Sequence, residues 1–415
     1  MVVLEVVLGL AFGLLIIFSG LLRWNEVRYR KKGLPPGTMG WPVFGETTEF
    51  LKQGPNFMKN QRARYGNLFK THILGSPTVV CMDPELNRYI LMNEGKGLVP
   101  GYPQSMQDLM GKWNISAVHG SLHKSMRSAM LSLIGPSLIK DQLISEIDEF
   151  LRSYLSNWSG KVIDIQEKTK EARRKIVSIL EKLIEERIAS PSFLNYMLDS
   201  LLRNDDDAKG KLSDDQIIDL IITLVYSGFE TVSTTSMMAV KYLSEHPRAL
   251  EELRNEQFDI RKGKSPEDTL QWNDYKSMIF TRAVIFETLR LATVVNGVLR
   301  RTTQEMEMKG YIIPKGWRIY VYTREVNYDP FMYPEPLAFN PWRWLDKNLE
   351  SHQYFLAFGG GGRLCPGKEL GLVEIAMFLH HFVTKYRWEE VGGDRLLKFP
   401  RVEAPNGLHI RIWDY

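Results

Sequence analysis

One of the two cysteines lies in a glycine-rich loop, at residues 358–367, directly before a predicted helix over about 368–391. A helix N-terminus carries unsatisfied N–H groups and the positive end of the helix dipole. We therefore expect the sulfur of Cys365 to be held as thiolate, the form of cysteine that binds metals. The alternative is a buried, inert cysteine beside a flexible glycine turn, which is the usual role of a single cysteine.

A second group of reactive side chains interrupts an apolar helix. Ser213 and Gln216 fit a capping box, and residues 217–244 contain no proline, so the pattern predicts one long helix through the core. Gly228, Glu230 and Thr231 lie in its middle. Burying a carboxylate costs several kcal/mol unless the group is paired or used, which makes Glu230 a candidate proton carrier. For Thr231, the alternative is a helix kink caused by bonding to a carbonyl.

Two helical charge patterns accompany these groups. Glu287 and Arg290 are three residues apart, so they can form an ion pair on one helix face. Such pairs are common, and an exposed surface salt bridge is the ordinary interpretation. His123 and Arg127 are four residues apart and share a face in the same way, whereas Lys124 fits a solvated basic surface.

Together these motifs resemble those of the cytochrome P450 family. Phe358, Gly361, Arg363, Cys365 and Gly367 fit the F-x-x-G-x-R-x-C-x-G signature, in which the cysteine is the proximal ligand of haem iron. The runs 227–231, 287–290 and 340–344 resemble the family's [AG]-G-x-[DE]-T, E-x-x-R and P-x-R-[FW] elements, in the family order. The resemblance covers about residues 33–415.

The resemblance implies a mainly α fold with small β-sheets, built around haem b. Gly228 would make room for dioxygen, while Glu230 and Thr231 would relay protons to it. Glu287, Arg290 and Arg343 would form a buried structural network beneath the haem. The further implied roles are haem contacts by the signature residues and by His123, Arg127 and Arg300, and substrate contacts by Val294, Val295 and Val298. An ordinary strand entry is the alternative for these valines, and Arg301 beside Arg300 leaves the register of that arginine open.

The composition agrees with a large globular enzyme. The chain has 415 residues, of which 44% are hydrophobic, and its 53 basic side chains nearly balance its 49 acidic ones. This balance argues against a nucleic-acid-binding protein. With only Cys81 and Cys365 there is no disulfide framework, so we expect the globular part to face a reducing compartment.

The N-terminus predicts a membrane anchor. Residues 2–22 carry a single charge, Glu5, and could span about 30 Å at 1.5 Å per residue. Arg23, Arg28, Arg30, Lys31 and Lys32 follow, which places the downstream chain in the cytosol by the positive-inside rule. We therefore expect three parts: an anchor over 1–22, a basic, proline-rich hinge over 23–45, and a catalytic domain over 46–415. A cleaved signal peptide fits less well, since the basic cluster follows the apolar run.

Finer features are similar to plant brassinosteroid 6-oxidases, notably residues 97–106, 296–300, 321–325 and 399–407. This resemblance implies oxidation of steroid C-6, as in the conversion of 6-deoxocastasterone to castasterone. It also implies use of O2 and of electrons from NADPH through a cytochrome P450 reductase, at the endoplasmic reticulum membrane. Another steroid position or a diterpenoid is the enzymatic alternative.

One departure from the family lies between Arg127 and Thr231, a stretch several tens of residues shorter than usual. Residues 163–171 resemble the family before the gap and residues 172–177 a segment well after it, so we place a junction near 171–172, with the domain shortened around 166–175. The absent segment corresponds to about three to four helices that roof the substrate pocket. An inactive haem-binding product is therefore the second hypothesis.

Overall fold

Helices form most of the chain that the structure describes, and small β-sheets accompany them, as the sequence predicted. This computed structural model describes residues 9, 12–20, 23–189, 213–265, 267–346, 349, 352–392 and 395–415. The chain divides into two compact units. The first contains residues 1–104 and 297–326, and the second contains residues 105–296 and 327–415.

The first unit contains strands β1 Leu68–Ile73, β2 Ser76–Cys81, β3 Leu98–Pro100, β5 Gly297–Thr302, β6 Met306–Met308, β7 Tyr311–Ile313 and β8 Arg318–Tyr322. Five of them form a sheet of order β1-β2-β8-β5-β3. Strands β1 and β2 form an antiparallel hairpin, β2 and β8 are parallel, and β6 pairs with β7 in a separate ribbon. Its helices are Trp24–Arg28, Thr47–Gln53, Pro55–Tyr65 and Pro84–Met92, while Gln104–Met110 and Arg324–Asn327 lie at the boundary.

The second unit is mostly helical. Its α-helices are Gly120–Ile134, Pro136–Leu138, Ile144–Tyr154, Ile165–Ala189, Asp214–Glu245, Pro247–Arg261, Trp272–Ser277, Ile279–Ala292 and Lys368–Lys385. A π-helix covers Ile139–Leu143, and 3-10 turns cover Leu155–Asn157, Pro341–Leu345 and Gly361–Arg363. Strands β4 Val162–Asp164, β12 His409–Asp414 and β9 Tyr386–Glu390 form one sheet in that order, and β10 Leu397–Lys398 pairs with β11 Val402–Glu403.

Three helices of the second unit concern the site. We call Asp214–Glu245 the long helix, Lys368–Lys385 the cysteine helix and Ile165–Ala189 the junction helix. The junction helix and the cysteine helix both pack against the long helix. The junction helix continues without a break through residues 171–172, and Ala172, Ile176 and Val177 beyond the predicted junction are buried.

The long helix begins where the sequence predicts. Ser213 and Gln216 form the reciprocal capping box, and the helix ends before His246-Pro247. The cysteine helix is shorter than predicted, because it ends at Lys385 and residues 386–390 form strand β9. In that strand, Tyr386 and Trp388 alternate with exposed side chains, which is the period of a half-buried strand rather than of a helix.

The predicted membrane anchor lies largely outside the described residues. Residues 12–20 are helical, and their large apolar side chains are exposed. Within the part of the chain that the structure describes, no helix is both long enough and apolar enough to cross a membrane. The anchor over residues 1–22 therefore stays a prediction.

Candidate active site

The loop around Cys365 is shaped by backbone hydrogen bonds. The Cys365 N–H donates to the Phe358 carbonyl at 2.9 Å, and the Leu364 N–H donates to the Gly361 carbonyl at 3.1 Å. Gly359 and Gly361 adopt φ angles of 75° and 64°, in the left-handed region that glycine enters at little cost. The turn of chain that these bonds close brings Cys365 back beside Phe358, three residues before the cysteine helix begins.

The environment of the thiol differs from the expected one in one respect. Burial raises the pKa of the Cys365 thiol, against the opposing effects of the Gly367 N–H and of the positive charges of Arg127 and Lys368. Desolvation of the sulfur thus opposes the thiolate form that we expected from the helix end, and that expectation stays a prediction. A metal cation at the sulfur would supply the missing stabilisation of the anion.

Arg363 binds protein backbone. Its guanidinium donates to the carbonyls of Ile115, at 2.7 Å, and Ser116, at 3.4 Å, and also to that of Val118. These contacts tie the cysteine loop to the segment that leads into helix Gly120–Ile134. Arg363 thus helps to position the helix that carries His123 and Arg127, and the cofactor contact that the family signature implied for it stays a prediction.

Helix Gly120–Ile134 contains His123 and Arg127 on neighbouring turns. His123 is buried, Arg127 is half-buried, and Lys124 is exposed as expected for a solvated face. Arg127 is close enough to Cys365 to affect its pKa, and its guanidinium makes no hydrogen bond or ion pair with any residue that the structure describes. The guanidinium therefore retains its capacity to bind an anion near the thiol.

Gly228 is covered by a side chain of the junction helix. A Cβ atom on Gly228 would lie 2.3 Å from Nη2 of Arg173, whose Nε donates to the Gly228 carbonyl at 3.1 Å. Nη1 of Arg173 pairs with Glu374 of the cysteine helix at 2.8 Å, and both side chains are buried. The space that Gly228 was expected to leave for dioxygen is filled on this side, because the buried Glu374 draws the guanidinium there.

Glu230 and Thr231 lie on the long helix without contacting each other through their side chains. The Thr231 hydroxyl donates to the Ser227 carbonyl at 2.8 Å, the backbone bond that we named as its alternative. The Glu230 side chain is 35% exposed and lies 3.7 Å from the Arg401 guanidinium. The expectation of a buried carboxylate is wrong, because Glu230 is only half-buried and faces the exposed Arg401 between strands β10 and β11.

Glu287, Arg290 and Arg343 meet as the sequence indicated. Arg290 donates to both oxygens of Glu287, at 2.8 and 2.7 Å, and the Arg343 Nε is 3.2 Å from Oε1. The sequence did not predict that the Trp344 indole also donates to this carboxylate, at 2.7 Å. The sequence signal for this contact was the position of Trp344 directly after Arg343, in the P-x-R-[FW] element.

The Arg290 guanidinium also extends to the backbone, at the carbonyls of Asn327 and Pro336. The cluster therefore joins helix Ile279–Ala292 to the segment that precedes the cysteine loop.

Arg300 and the three valines are divided between the two units. Arg300 is buried in β5 and lies 3.6 Å from Glu94 of the same unit, whereas Arg301 is exposed. Burial therefore favours Arg300 over Arg301 as the inward residue. Val294 is half-buried and Val295 exposed in the second unit, and Val298 is half-buried in β5.

The residues around Cys365 fit a haem group. Among the residues that the structure describes, no group of three or more His, Cys, Asp or Glu side chains could hold a bare metal ion. A single thiol beside cations suits iron that is already held by a macrocycle, with an anionic group on the Arg127 guanidinium. Cys365 would bind the iron, and Arg127, with His123, would hold a haem propionate.

Comparisons with known proteins agree with this chemistry. The family model described as Cytochrome P450 matches residues 158–406. The chain is 61% identical to cytochrome P450 85A1 of Brachypodium distachyon and 54% identical to cytochrome P450 85A2 of Arabidopsis thaliana, in each case over 100% of both chains. The first alignment spans 465 positions for the 415 residues of this chain, so that relative contains residues with no counterpart here.

Two further likenesses are more distant. The chain is 37% identical to the 3beta,22alpha-dihydroxysteroid 3-dehydrogenase of Arabidopsis thaliana, over 92% of each chain. The solved structure of retinoic acid-bound cyanobacterial CYP120A1 superposes with a TM-score of 0.80 at 24% identity, covering 92% of this chain and 99% of that one. At that identity the second likeness concerns the fold alone.

Proposed function

The chain belongs to the cytochrome P450 family, and we propose that it is the monooxygenase that oxidises brassinosteroids at C-6. The observation that carries the proposal is the likeness along the whole chain to the 85A proteins, together with the brassinosteroid 6-oxidase segments in the sequence. The name of a more distant relative, a dihydroxysteroid dehydrogenase, supports a steroid substrate.

The proposed site uses haem as its reactive group. When bound, haem activates O2 for insertion into an unreactive C–H bond, with electrons delivered from NADPH by a reductase. Cys365 would hold the iron, and Arg127 and His123 would orient the group through a propionate. Arg127 and Lys368 place positive charge near Cys365, which supports docking of an acidic reductase surface there.

Proton delivery would be the task of the long helix. Because the Thr231 hydroxyl donates its proton to the Ser227 carbonyl, its oxygen keeps lone pairs that can accept a hydrogen bond from a water or a bound ligand. Glu230 is the neighbouring carboxylate with access to solvent, so it can exchange protons with bulk water. The Arg401 guanidinium, 3.7 Å from that carboxylate, orients it on the helix surface.

Membrane attachment completes the proposal. Phe12, Leu14, Leu15, Ile16, Ile17 and Phe18 are apolar and at least 55% exposed. Together with the basic cluster that follows, these side chains support a single-pass anchor in the endoplasmic reticulum membrane with the catalytic part in the cytosol. A membrane-bound enzyme can take a sterol substrate from the bilayer.

The haem assignment is tested by the carbon monoxide difference spectrum of the reduced chain in membranes. We expect a thiolate-type Soret band that Cys365→Ser abolishes. Cys81→Ser is the matched control, because Cys81 is buried in β2 and burial raises its pKa to about 12. An unchanged band in the Cys365→Ser chain would overturn the ligand assignment.

The substrate is tested by turnover of a 6-deoxo brassinosteroid with reductase and NADPH, followed by mass and regiochemistry of the product. Oxygen at C-6 supports the proposal, whereas oxidation at another steroid position or of a diterpenoid acid would replace it.

The shorter chain favours one second candidate, a haem-binding protein without steroid turnover. The first relative's alignment is longer than this chain, and both Ser227 and Glu230 are accessible to solvent. Water in such a site promotes release of hydrogen peroxide in place of substrate oxidation. NADPH consumption that yields hydrogen peroxide and no steroid product, with an intact thiolate-type band, would support this candidate.

A further inference from the structure

The contact between Arg173, Glu374 and Gly228 joins three helices at the centre of the second unit. Arg173 lies on the junction helix, Gly228 on the long helix and Glu374 on the cysteine helix. Arg173 is 4% exposed and Glu374 1% exposed. A buried ion pair is strongly destabilising when one partner is lost, so the two charges depend on each other.

Glu374 has few other partners. Burial raises the pKa of its carboxyl group against the opposing charge of Arg173, and its Oε2 accepts no hydrogen bond from the described residues. Arg173 is the cation that balances it. Arg173 is also the second residue after the junction that the sequence predicts.

The second contact of Arg173 is directed at the long helix. A helical carbonyl has two lone pairs, and the one that the helix leaves free at Gly228 accepts from the Arg173 Nε at 3.1 Å. A Cβ atom at position 228 would lie 2.3 Å from the Arg173 Nη2 atom, so a larger residue there would displace the guanidinium. The preceding carbonyl, of Ser227, accepts from Thr231. Side chains thus hold two consecutive carbonyls of the turn that carries Glu230 and Thr231.

We infer that Arg173 is a positioning residue for this turn: it binds Glu374 and the Gly228 carbonyl together and so fixes residues 227–231 relative to the cysteine helix. Only the expected effect of Arg173 on steroid turnover rests on the proposed function. The positioning itself can be measured without any turnover.

The experiment separates positioning from charge balance with two variants. Arg173→Met with Glu374→Met removes both charges at similar volume, a change that is often neutral for stability. Arg173→Lys keeps a charge for Glu374, but a single ammonium lacks the fork of N–H groups that reaches both partners. Hydrogen–deuterium exchange of the haem-loaded protein is followed at residues 227–232, with residues 237–243 of the same helix as the internal control.

We expect both variants to retain haem, and exchange at 227–232 to rise at least threefold while exchange at 237–243 is unchanged. If the chain turns over steroid, product formed per NADPH should fall at least threefold in both. Wild-type exchange at 227–232 in both variants would overturn the inference and leave Arg173 as a counter-charge. Loss of haem from both variants would also overturn it, in favour of a purely structural role. Failure of steroid turnover in the wild-type chain would affect the proposed function alone.

Discussion

Glu287 concentrates more donors than any other carboxylate described in the site. Arg290 supplies two N–H groups, and Arg343, Trp344 and the Asn340 backbone supply one each. The carboxylate and the Arg290 side chain are fully buried. At this scale the chemistry of one residue determines the path of the chain before the cysteine loop, since the arginines also bind the carbonyls there.

Glu287→Gln tests this dependence. The neutral amide leaves two buried guanidinium groups without a countercharge and turns an N–H₂ group toward donors. We expect the free energy of unfolding to fall by about 3–5 kcal/mol, with loss of bound haem. Chemical denaturation followed by circular dichroism, together with haem content, would measure this.

The control for that substitution is Glu389→Gln, whose ion pair with Arg411 is more than half exposed on both sides. An exposed pair contributes less than about 1 kcal/mol. Equal losses in the two variants would contradict the structural role of Glu287.

Thr231→Ala tests the proton relay, with Thr235→Ala as the control. Each of these threonine hydroxyls donates a hydrogen bond to a backbone carbonyl of the long helix. The Thr235 hydroxyl donates to the Thr231 carbonyl at 2.6 Å, so alanine at either position removes one comparable hydrogen bond. Only Thr231 is adjacent to Glu230. We expect product per NADPH to fall about tenfold in Thr231→Ala, below the usual 10²–10⁴ span of acid–base catalysis because water can substitute.

Thr235→Ala should retain most of the product yield, since its hydroxyl belongs to the buried side of the helix. Similar yields from the two variants would argue that the Thr231 hydroxyl only bends the helix.

At the scale of elements, the cysteine helix is held by histidines as well as by Glu374. His381 bonds Asp148 at 2.7 Å, and His380 bonds Gln257 at 2.7 Å. Gln257 in turn donates to Thr281. These bonds connect the cysteine helix to helices Ile144–Tyr154, Pro247–Arg261 and Ile279–Ala292 at its far end from Cys365.

This arrangement predicts a pH dependence. Burial lowers the pKa of His380 well below its ordinary 6.5, and the charges of His381, Arg261 and Lys264 act in the same direction against Asp148. The unfolded chain therefore binds a proton below about pH 6.5 that the folded chain does not. The contribution of the neutral His380 side chain to the free energy of unfolding is fully present above that pH. Below it, the free energy of unfolding falls as the pH decreases, by up to about 1.4 kcal/mol per pH unit.

The measurement compares His380→Gln with the wild-type chain by urea unfolding at pH 7.5 and 5.5. We expect the variant to lose about 1.4 kcal/mol less between the two values. The pKa values of buried Glu256 and Glu374 are raised, but both residues are present in each chain and cancel in the difference. Asp148, with a pKa lowered to about 2, stays ionised throughout. Identical pH dependence in the two chains would rule out His380 as the source.

At the scale of the whole molecule, local signals were predictable from the sequence and long-range partners were not. The Ser213 capping box formed as predicted, and the cap of Asp83 on the Leu86 N–H and the β1–β2 hairpin likewise depend only on neighbouring residues. The contacts of Arg173 join residues 55 and 201 positions away, at a junction where no spacing rule applies. The exposure of Glu230 was unpredictable for the same reason, because it depends on which residues cover that face.

The membrane anchor belongs to this scale, because it determines where the whole chain resides. Residues 2–22 should insert as one apolar span, and the basic residues 23–32 should keep everything after them in the cytosol.

We expect the intact chain to stay with microsomal membranes after alkaline extraction and a chain without residues 2–22 to be released. Replacement of residues 2–22 by an unrelated leucine-rich span should restore retention, since the requirement is for apolar length rather than for sequence. A glycosylation acceptor site added after Tyr415 should remain unmodified in the intact chain, because that end faces the cytosol. Full retention of the truncated chain would show that another surface binds the membrane, and glycosylation at the C-terminal site would reverse the orientation.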